Sequence, residues 1–372
     1  MSDDLPQSDQ TIGAPHPRET AQLIGQARAE AGFLEAYATD RLHHAWLITG
    51  QRGIGKSTLA WRIARFLIAT PPEDGFAGNM FGPPETLDIA ADHPVHARIA
   101  ALSDPQLFLL RRSYDAEKKS FKAQIGVDDV RAMKGFFSMS ATDGGRRVVI
   151  VDAADDMNVN AANALLKLLE EPPKDAILLL ISHQPTRLLP TIRSRCRELR
   201  CDPLAPEAID QVLTATGAQT DATPAALAAL AGGSAGEALA LINLGGLELY
   251  RELVAIAASF PRLDRPRAIA LADKLAARDA STQLDLMVRL VDIFLARVSR
   301  AGLGLITDEA APSERETLAR LAPSPQASQD WAGIAPEISE RLRHGRGVNL
   351  DPALLVLDMV HALNTMAGKT AR

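Results

Sequence analysis

Cysteine and aromatic residues are scarce in this sequence, and both shortages narrow the kind of protein that it can encode. Of its 372 residues only Cys196 and Cys201 are cysteines. A disulfide framework is therefore excluded and, without a paired CxxC motif, a cysteine zinc site is not supported. Aromatic residues make up 4% of the chain and hydrophobic residues 47%. This composition predicts a protein rich in alanine and leucine that is largely helical outside any sheet.

The sequence also lacks long apolar segments and any excess of positive charge. Without an apolar N-terminal stretch or a long uncharged apolar run, we expect a cytoplasmic protein with no membrane partner. The net charge of −6 offers no general attraction to nucleic acid, so DNA contact would need a local basic patch or partner chains. At 372 residues the chain is longer than a domain with one hydrophobic core usually is, so two or three domains are expected.

The most informative segment is a glycine-rich loop at residues 50–57. Its spacing, a glycine, four residues and then Gly-Lys-Ser, fits the phosphate-loop pattern. An apolar run at 46–49 predicts a buried strand before it, and apolar residues at helical spacing in 58–69 predict a helix after it. In that context backbone N–H groups converge on a phosphate, whereas a chance match would be only a glycine-rich turn. The predicted phosphate-binding residues are Gly50, Gly53, Gly55, Lys56, Ser57 and Thr58.

A second anchor for a nucleotide is predicted at Asp152, which follows the apolar run 148–151. A carboxylate at the C-terminal end of a buried strand lies where open α/β sheets bind their ligands. Together with the Ser57 hydroxyl it would bind the Mg²⁺ of an ATP or ADP, while Lys56 would reach the β- and γ-phosphates. The alternative role for Asp152 is a helix or turn cap after a core strand.

The order of the predicted elements indicates an α/β domain followed by helical domains. Further strands are predicted at 106–112, 147–152, 176–182 and 197–200, with helices at 128–139 and 158–171. Strands that alternate with helices at this spacing predict a doubly wound, mostly parallel sheet. The predicted divisions are a disordered leader at 1–18, a nucleotide-binding domain at 19–203, a small helical domain at 204–246 and an all-α domain at 247–372.

Four motifs occur together in this order along the chain. They are the phosphate loop, the segment 151–158, the run Ala-Ala-Asn-Ala-Leu-Leu-Lys-Leu-Leu-Glu-Glu-Pro-Pro at 161–173 and the triplet Ser194-Arg195-Cys196. In combination they resemble the AAA+ clamp loaders of bacterial DNA polymerase III and, within that family, its delta prime branch. The run and the triplet together are far more specific than a phosphate loop alone. The resemblance covers about residues 19–245 through motifs and the helical remainder through architecture only.

The resemblance implies an AAA+ phosphate-loop domain with a parallel sheet, a small helical lid at 204–246 and a C-terminal helical collar at 247–372. It implies a ring with gamma/tau and delta subunits, acting on a sliding clamp and on primer-template DNA reached through the complex. In that family the arginine of the Ser-Arg-Cys motif enters the neighbour's nucleotide site, which assigns a catalytic role in trans to Arg195. The alternative for Arg195 is a surface ion pair with a local carboxylate such as Glu198.

The sequence departs from the ATP-hydrolysing members of that family at three points. Ala153 stands where they carry the glutamate that polarises the attacking water, and alanine can neither orient water nor accept a proton. Gly236 stands where they carry an arginine of the sensor-two helix. The cysteine cluster of many relatives is missing from 70–94, so we expect no zinc. His93 and His96 in that stretch are expected to be loop residues.

These departures predict a subunit that binds ATP or ADP with Mg²⁺ but has no intrinsic activity of its own within the DNA polymerase III holoenzyme. Two alternatives stay open. One is an autonomous gamma/tau-type ATPase in which Asp155 or Asp156 substitutes for the missing glutamate, and the other is a structural ring subunit with a vestigial site. A basic stretch either contacts DNA phosphates or forms a solvated loop; it consists of Arg111, Arg112, Lys118, Lys119 and Lys122.

Overall fold

The computed structural model describes residues 6–20, 22–39, 42–70, 84–138, 145–278, 280–306 and 308–370. The chain divides into two compact units. The first comprises Met1–Val212 with Ser234–Gly236, and the second comprises Leu213–Gly233 with Glu237–Arg372. The predicted small helical domain at 204–246 is therefore shared between the two units, while the predicted nucleotide-binding domain at 19–203 falls within the first.

A parallel sheet forms the centre of the first unit. The strands of the described residues are β1 (Ala45–Thr49), β2 (Leu107–Arg111), β3 (Tyr114–Asp115), β4 (Ser120–Phe121), β5 (Arg147–Asp152), β6 (Ala176–Ser182) and β7 (Arg197–Arg200). Five of them form a sheet in the order β2-β5-β6-β1-β7, and every neighbouring pair is parallel. The predicted fold class is confirmed. The short antiparallel pair of β3 and β4 was not predicted.

Helices cover both faces of this sheet. Those of the first unit are α1 (Ala27–Ala38), α2 (Lys56–Ala69), α3 (Val95–Ala100), α4 (Val127–Ser138), α5 (Val159–Glu170) and α6 (Pro190–Arg193), and α7 (Pro206–Ala215) follows across the boundary between the units. The Asn158 side chain accepts a hydrogen bond from the Ala161 N–H at 2.9 Å, which caps α5 at its start. The helices predicted at 58–69, 128–139 and 158–171 are confirmed, with ends that differ by one or two residues.

The central strands β1 and β6 are almost wholly apolar because each of their faces is buried in a separate core. Trp46 and Ile48 of β1 lie in one core with Phe33 of α1 and Trp61 of α2. Leu47, between them in sequence, lies in the other core, which α4, α5 and α6 cover. Successive side chains of a strand point to opposite faces, so a run without polar residues is what a doubly covered parallel sheet requires.

Residues 6–20 are part of the packed first unit, although the sequence predicts a disordered leader at 1–18. His16 and Arg18 are 1% and 7% exposed. Arg65 of α2 donates hydrogen bonds to the carbonyl oxygens of Arg18 and, at 3.3 Å, of Thr20. Polar contacts make much of this attachment, which is why hydrophobic periodicity gave no sign of it. Residues 1–5 of the predicted leader lie outside the described residues.

The second unit is helical throughout its described residues. Its helices are α8 (Pro224–Ala231), α9 (Ala235–Asn243), α10 (Gly246–Ala258), α11 (Arg265–Leu275), α12 (Ser281–Ala301), α13 (Glu314–Leu321), α14 (Pro325–Gly347) and α15 (Pro352–Thr370). The first two residues of α9 belong to the first unit. In the part of the chain that the structure describes, no single helix has the length and hydropathy of a membrane span. Only α8 and α9, taken together as a pair bent by 105°, reach those values.

A buried ion pair stabilises the interior of the second unit. Glu314, at the start of α13, is fully buried and accepts hydrogen bonds from Arg297 Nε and from the Tyr250 hydroxyl, each at 2.6 Å. The backbone N–H of Ala310 donates to its second oxygen at 2.6 Å. Burial, together with the Glu314 charge, raises the pKa of Tyr250 well above its usual value. The carboxylate is thus fully satisfied although no water reaches it.

Candidate nucleotide-binding site

The predicted phosphate loop joins β1 to α2 and has the geometry of an anion cradle. Gly55, the residue before α2, has φ 103°. This backbone conformation would be strained in a residue that has a side chain. The turn that Gly55 makes lets α2 begin at Lys56 and directs the first N–H groups of the helix, those of Ser57 and Thr58 among them, toward the loop. These groups have no partner within the helix, and the helix dipole adds partial positive charge there.

A second segment of the first unit holds the loop from outside. The Ser234 hydroxyl donates to the Arg52 carbonyl at 2.8 Å, and the Gly236 N–H donates to the Gly53 carbonyl at 2.9 Å. The contact is so close that a Cβ on Gly53 would lie 2.4 Å from the Ser234 Oγ, and a Cβ on Gly236 would lie 2.8 Å from the Gly53 Cα. Position 236 therefore needs glycine for packing, because a side chain there would collide with the backbone of the phosphate loop at Gly53.

Lys56 lies inside the loop. It is 2% exposed, and its ammonium donates to the Gly50 carbonyl at 2.8 Å and to the Gln51 carbonyl. Burial lowers the pKa of Lys56 to about 8, although the nearby Asp152 acts in the opposite direction. An anion bound in the loop would compensate the buried charge, so the lysine is placed to contact a phosphate.

Ser57 and Asp152 meet at the edge of the sheet. The Ser57 hydroxyl donates to Asp152 Oδ2 at 2.6 Å, which joins the start of α2 to the end of β5. Burial raises the pKa of Asp152 to about 7. A hydroxyl and a carboxylate oxygen at this separation are ligands that Mg²⁺ accepts beside substrate phosphates and water. These residues therefore fit a magnesium–nucleotide complex.

The position after Asp152 offers no water-activating group. Ala153 is 4% exposed, and its methyl side chain can neither orient water nor accept a proton. Asp155 is engaged elsewhere, because it accepts hydrogen bonds from the Ser182 hydroxyl at 2.7 Å and from the backbone N–H groups of His183 and Gln184. Its carboxylate is thus committed to the end of β6.

Asp156 and the basic stretch are likewise drawn into local contacts. Asp156 forms an ion pair with Arg112 Nε at 3.0 Å, and Arg111 forms one with Asp9. The three lysines of the stretch are exposed, on or beside the β3–β4 hairpin. Neither aspartate that the sequence offered as a substitute for the missing glutamate is therefore placed to activate water, and two of the five basic residues are used internally.

Arg195 lies just after α6 and is 37% exposed along its side chain. Its guanidinium pairs with Glu170 Oε1 at 3.0 Å and donates to the Thr191 carbonyl at 3.1 Å. The carboxylate suggested by sequence, Glu198, instead accepts a hydrogen bond from the Thr49 hydroxyl at 2.6 Å. Arg195 thus does not join the phosphate loop of its own chain among these contacts, whereas the other predicted site residues gather there.

The zinc prediction concerns a stretch that the structure describes only in part. Residues 71–83 lie outside the described residues, so the absence of zinc stays a prediction. His93 accepts a hydrogen bond from the Val95 N–H at 3.2 Å, and His96 Nε2 lies 3.2 Å from the Ala90 carbonyl. Within the described parts of the chain, no three His, Cys, Asp or Glu side chains are grouped to hold a metal ion.

The sequence is similar to known DNA polymerase III subunits. It is 31% identical to DNA polymerase III subunit delta' of Escherichia coli over 331 residues, which are 88% of this chain and 91% of that protein. The chain belongs to the DNA polymerase III subunit delta' family. A family model described as "DNA polymerase III, delta subunit" matches residues 25–205. The family predicted from the four motifs is confirmed.

Other relatives of this delta'-family chain match a shorter part of it. Subunit delta' of Pseudomonas aeruginosa is 42% identical over 192 residues, 51% of this chain and 53% of that protein, so this chain matches about half of that relative's length. Subunit gamma/tau of Mycobacterium tuberculosis is 31% identical over 180 residues, 48% of this chain and 28% of that protein. A DNA polymerase III gamma subunit-related protein from Thermotoga maritima superposes with a TM-score of 0.46 and 18% identity, covering 92% of this chain and 99% of that one.

Two features of the site in this delta'-family chain were missed from sequence. The first is His183, which directly follows β6 at the same edge of the sheet where Asp152 ends β5. The Nδ1 atom of His183 is buried without a hydrogen-bond partner among the described residues. Burial and the charges of Lys56 and Arg52 lower its pKa to about 4, which keeps the ring neutral. Its place after an apolar strand was the available signal. The second feature, the contact of Asp9 with Arg111, had no signal in the sequence.

Proposed function

We propose that this delta'-family chain is a clamp-loader subunit that holds a nucleotide without hydrolysing it and lends Arg195 to the ATP site of a neighbouring subunit. One observation carries the proposal. The phosphate cradle is complete, with Lys56, Ser57 and Asp152 at one edge of the sheet, and alanine occupies position 153, where water would be activated. Such a site binds a nucleotide and leaves its terminal phosphate in place.

The nucleotide is ATP or ADP with Mg²⁺. Lys56 and the first N–H groups of α2 hold its phosphates, with Gly50, Gly53 and Gly55 forming the loop around them. Ser57 and Asp152 hold the Mg²⁺, which neutralises phosphate charge when it is bound. This assignment is supported by the burial of Lys56 and by the Ser57–Asp152 hydrogen bond of 2.6 Å.

Hydrolysis by the chain itself is disfavoured by the contacts around Ala153. A gamma/tau-type ATPase would need Asp155 or Asp156 as the base, and each already has a partner elsewhere. Asp155 accepts three hydrogen bonds at the end of β6, so turning it toward a water would leave those donors unpaired. The autonomous ATPase is therefore the weaker candidate.

Arg195 acts in trans as an arginine finger. Its ion pair with Glu170 is half exposed, and exposed pairs of this kind are worth about 0–1 kcal/mol. The guanidinium can exchange that carboxylate for a phosphate of an adjacent subunit at little cost. A planar, permanently charged group suits a transferring phosphoryl group, which carries more charge than a carboxylate.

The relatives delta' and gamma/tau are each named as a subunit of a DNA polymerase III. We accordingly assign this chain to a cytoplasmic clamp loader with gamma/tau and delta subunits, which places a sliding clamp on primer-template DNA during replication. Contact with DNA is made through the complex. The net charge of −6 and the internal pairing of Arg111 and Arg112 speak against a DNA-binding surface at the basic stretch.

The decisive experiment is a reconstituted loader that carries Arg195→Ala. We measure its DNA-stimulated ATPase and its clamp loading beside a loader with Arg193→Ala, which removes an exposed arginine two residues away. An arginine finger supplied to a GTPase is worth about 10³–10⁵-fold in rate. We therefore expect Arg195→Ala to silence one ATP site and impair clamp loading, while Arg193→Ala changes neither. Equal ATPase and clamp-loading rates in the two variants would contradict the arginine-finger role of Arg195.

The nucleotide-holding role is tested separately on the full chain. Titration with fluorescent ADP should saturate in the wild type and fail in Lys56→Ala, because the variant lacks the ammonium inside the loop. Absence of saturation in both proteins would leave a purely structural ring subunit. Turnover of ATP by the purified chain, lost in Lys56→Ala, would instead favour the autonomous ATPase.

A further inference from the structure

The segment of residues 7–18, which we call the strap, lies beside the phosphate cradle. The Ser8 hydroxyl donates to the Arg112 carbonyl at 3.2 Å, just after the end of β2. Farther along, the Thr11 hydroxyl lies 3.3 Å from where a Cβ on Gly236 would be, and Gly236 rests on Gly53 of the phosphate loop. The strap thus runs from the β2 end of the sheet to the loop.

Asp9 is the charged centre of the strap. Its side chain is fully buried and forms an ion pair with Arg111. Arg111 is the direct neighbour of Asp152 in the ladder between β2 and β5. The Asp9 charge therefore contributes, after burial, to the raised pKa of Asp152. Asp152 is the carboxylate assigned to Mg²⁺.

His16 fixes the Asp9 carboxylate from the other side. Its Nδ1 accepts a hydrogen bond from the Arg18 N–H at 3.0 Å. Nε2 faces Asp9 Oδ2 at 3.1 Å. The ring also packs edge-on against Trp61 of α2, with centroids 5.9 Å apart. The carboxylate is thereby attached to the same helix that begins the cradle.

We propose that the strap makes the cradle selective for a nucleoside diphosphate over a nucleoside triphosphate, an inference that rests on the proposed nucleotide site. Two contacts lead to it. Asp9 neutralises Arg111, and Arg111 is the cation beside Asp152 that would otherwise face an additional phosphate. Pairing with Asp9 thus removes a positive charge that would favour the triphosphate, which carries one more phosphate than the diphosphate and therefore more negative charge.

The test uses the full chain and compares binding of ADP and of a non-hydrolysable ATP analogue, both with Mg²⁺. Asp9→Asn removes the charge and keeps the shape of the side chain. We expect affinity for the ATP analogue to rise by about tenfold, with a much smaller change for ADP. Asp92→Asn, which neutralises an exposed carboxylate of the same unit, is the matched control and should change neither. An equal change for both nucleotides, or weaker binding of the ATP analogue, would overturn the proposal.

A second measurement needs no variant. Amide hydrogen exchange of residues 7–18 in the wild type should be as slow with ADP as without nucleotide. It should become faster with the ATP analogue, because the strap must yield to the third phosphate. Equal protection with both bound nucleotides would contradict the inference. Failure of wild type and Asp9→Asn to bind either nucleotide would instead remove the proposed nucleotide site, and the strap's selectivity with it.

Discussion

Binding of Mg²⁺ and ADP to the cradle should be strongest between about pH 7 and about pH 8. Burial raises the pKa of Asp152 to about 7, and burial lowers the pKa of Lys56 to about 8. Between these values the carboxylate is charged and the lysine keeps at least half of its charge. Both groups then have the form that a magnesium–nucleotide complex needs.

Affinity should rise with pH below this range and fall with pH above it. Mg²⁺ binds the carboxylate and not the carboxylic acid, so below pH 7 each unit should weaken Mg²⁺ binding by about tenfold. At pH 5 the loss is about 100-fold relative to pH 7. Above pH 8 the neutral Lys56 must take up a proton before it can neutralise a phosphate. Nucleotide affinity should therefore also fall by up to about tenfold for each unit on the alkaline side.

The assay is titration with fluorescent ADP across this range, with Mg²⁺ or with a chelator. The terminal phosphate of the nucleotide titrates itself near pH ~6, so the wild type is compared with Asp152→Asn, which carries no titrating carboxyl at that position. The difference between the two proteins isolates Asp152. If the Mg²⁺-dependent affinity of the wild type did not decline below pH 7, or declined equally in Asp152→Asn, the reasoning from burial would be refuted.

Two further predictions concern packing. Glu314→Ala should lower the free energy of unfolding of the second unit by about 3–5 kcal/mol, because it leaves the Arg297 charge buried and unpaired. Glu316→Ala, at an exposed site of the same helix, should change it little, and urea denaturation measures both. Gly53→Ala should weaken ADP binding roughly tenfold, because its Cβ would lie 2.4 Å from Ser234 Oγ at a position where φ is 76°. Gly333→Ala, with open space around it, should leave ADP binding unchanged.

Local pattern was enough to predict most of the first unit. The strands at 147–152 and 176–182 are predicted to the residue because each is an uninterrupted apolar run bounded by polar residues. The start of α2 follows from the Gly-Lys-Ser motif, whose glycine has the positive φ that the turn needs. In both cases the signal lies within about ten residues, the length over which periodicity and turn chemistry act.

Contacts between distant polar side chains left no such signal. Asp9 and Arg111 are 102 residues apart, and nothing in either segment indicates the other. The alternative partner that the sequence suggests for Arg195 is Glu198, but the ion pair forms with Glu170 at the end of α5. The sequence offers Asp155 as a base, but its carboxylate accepts three hydrogen bonds at the end of β6.

The sequence by itself determined the phosphate loop, the parallel sheet around it, the family and the absence of a glutamate at position 153. Each of these depends on residue type at fixed local spacing, which needs no knowledge of the folded chain. Only the tertiary structure decided that Gly236 packs on Gly53, that Asp155 is already hydrogen-bonded and that the strap places a carboxylate beside Asp152. Those facts depend on which distant backbone segments the sheet brings to one edge, and side-chain hydrogen bonds formed there carry no periodicity that a linear pattern could reveal.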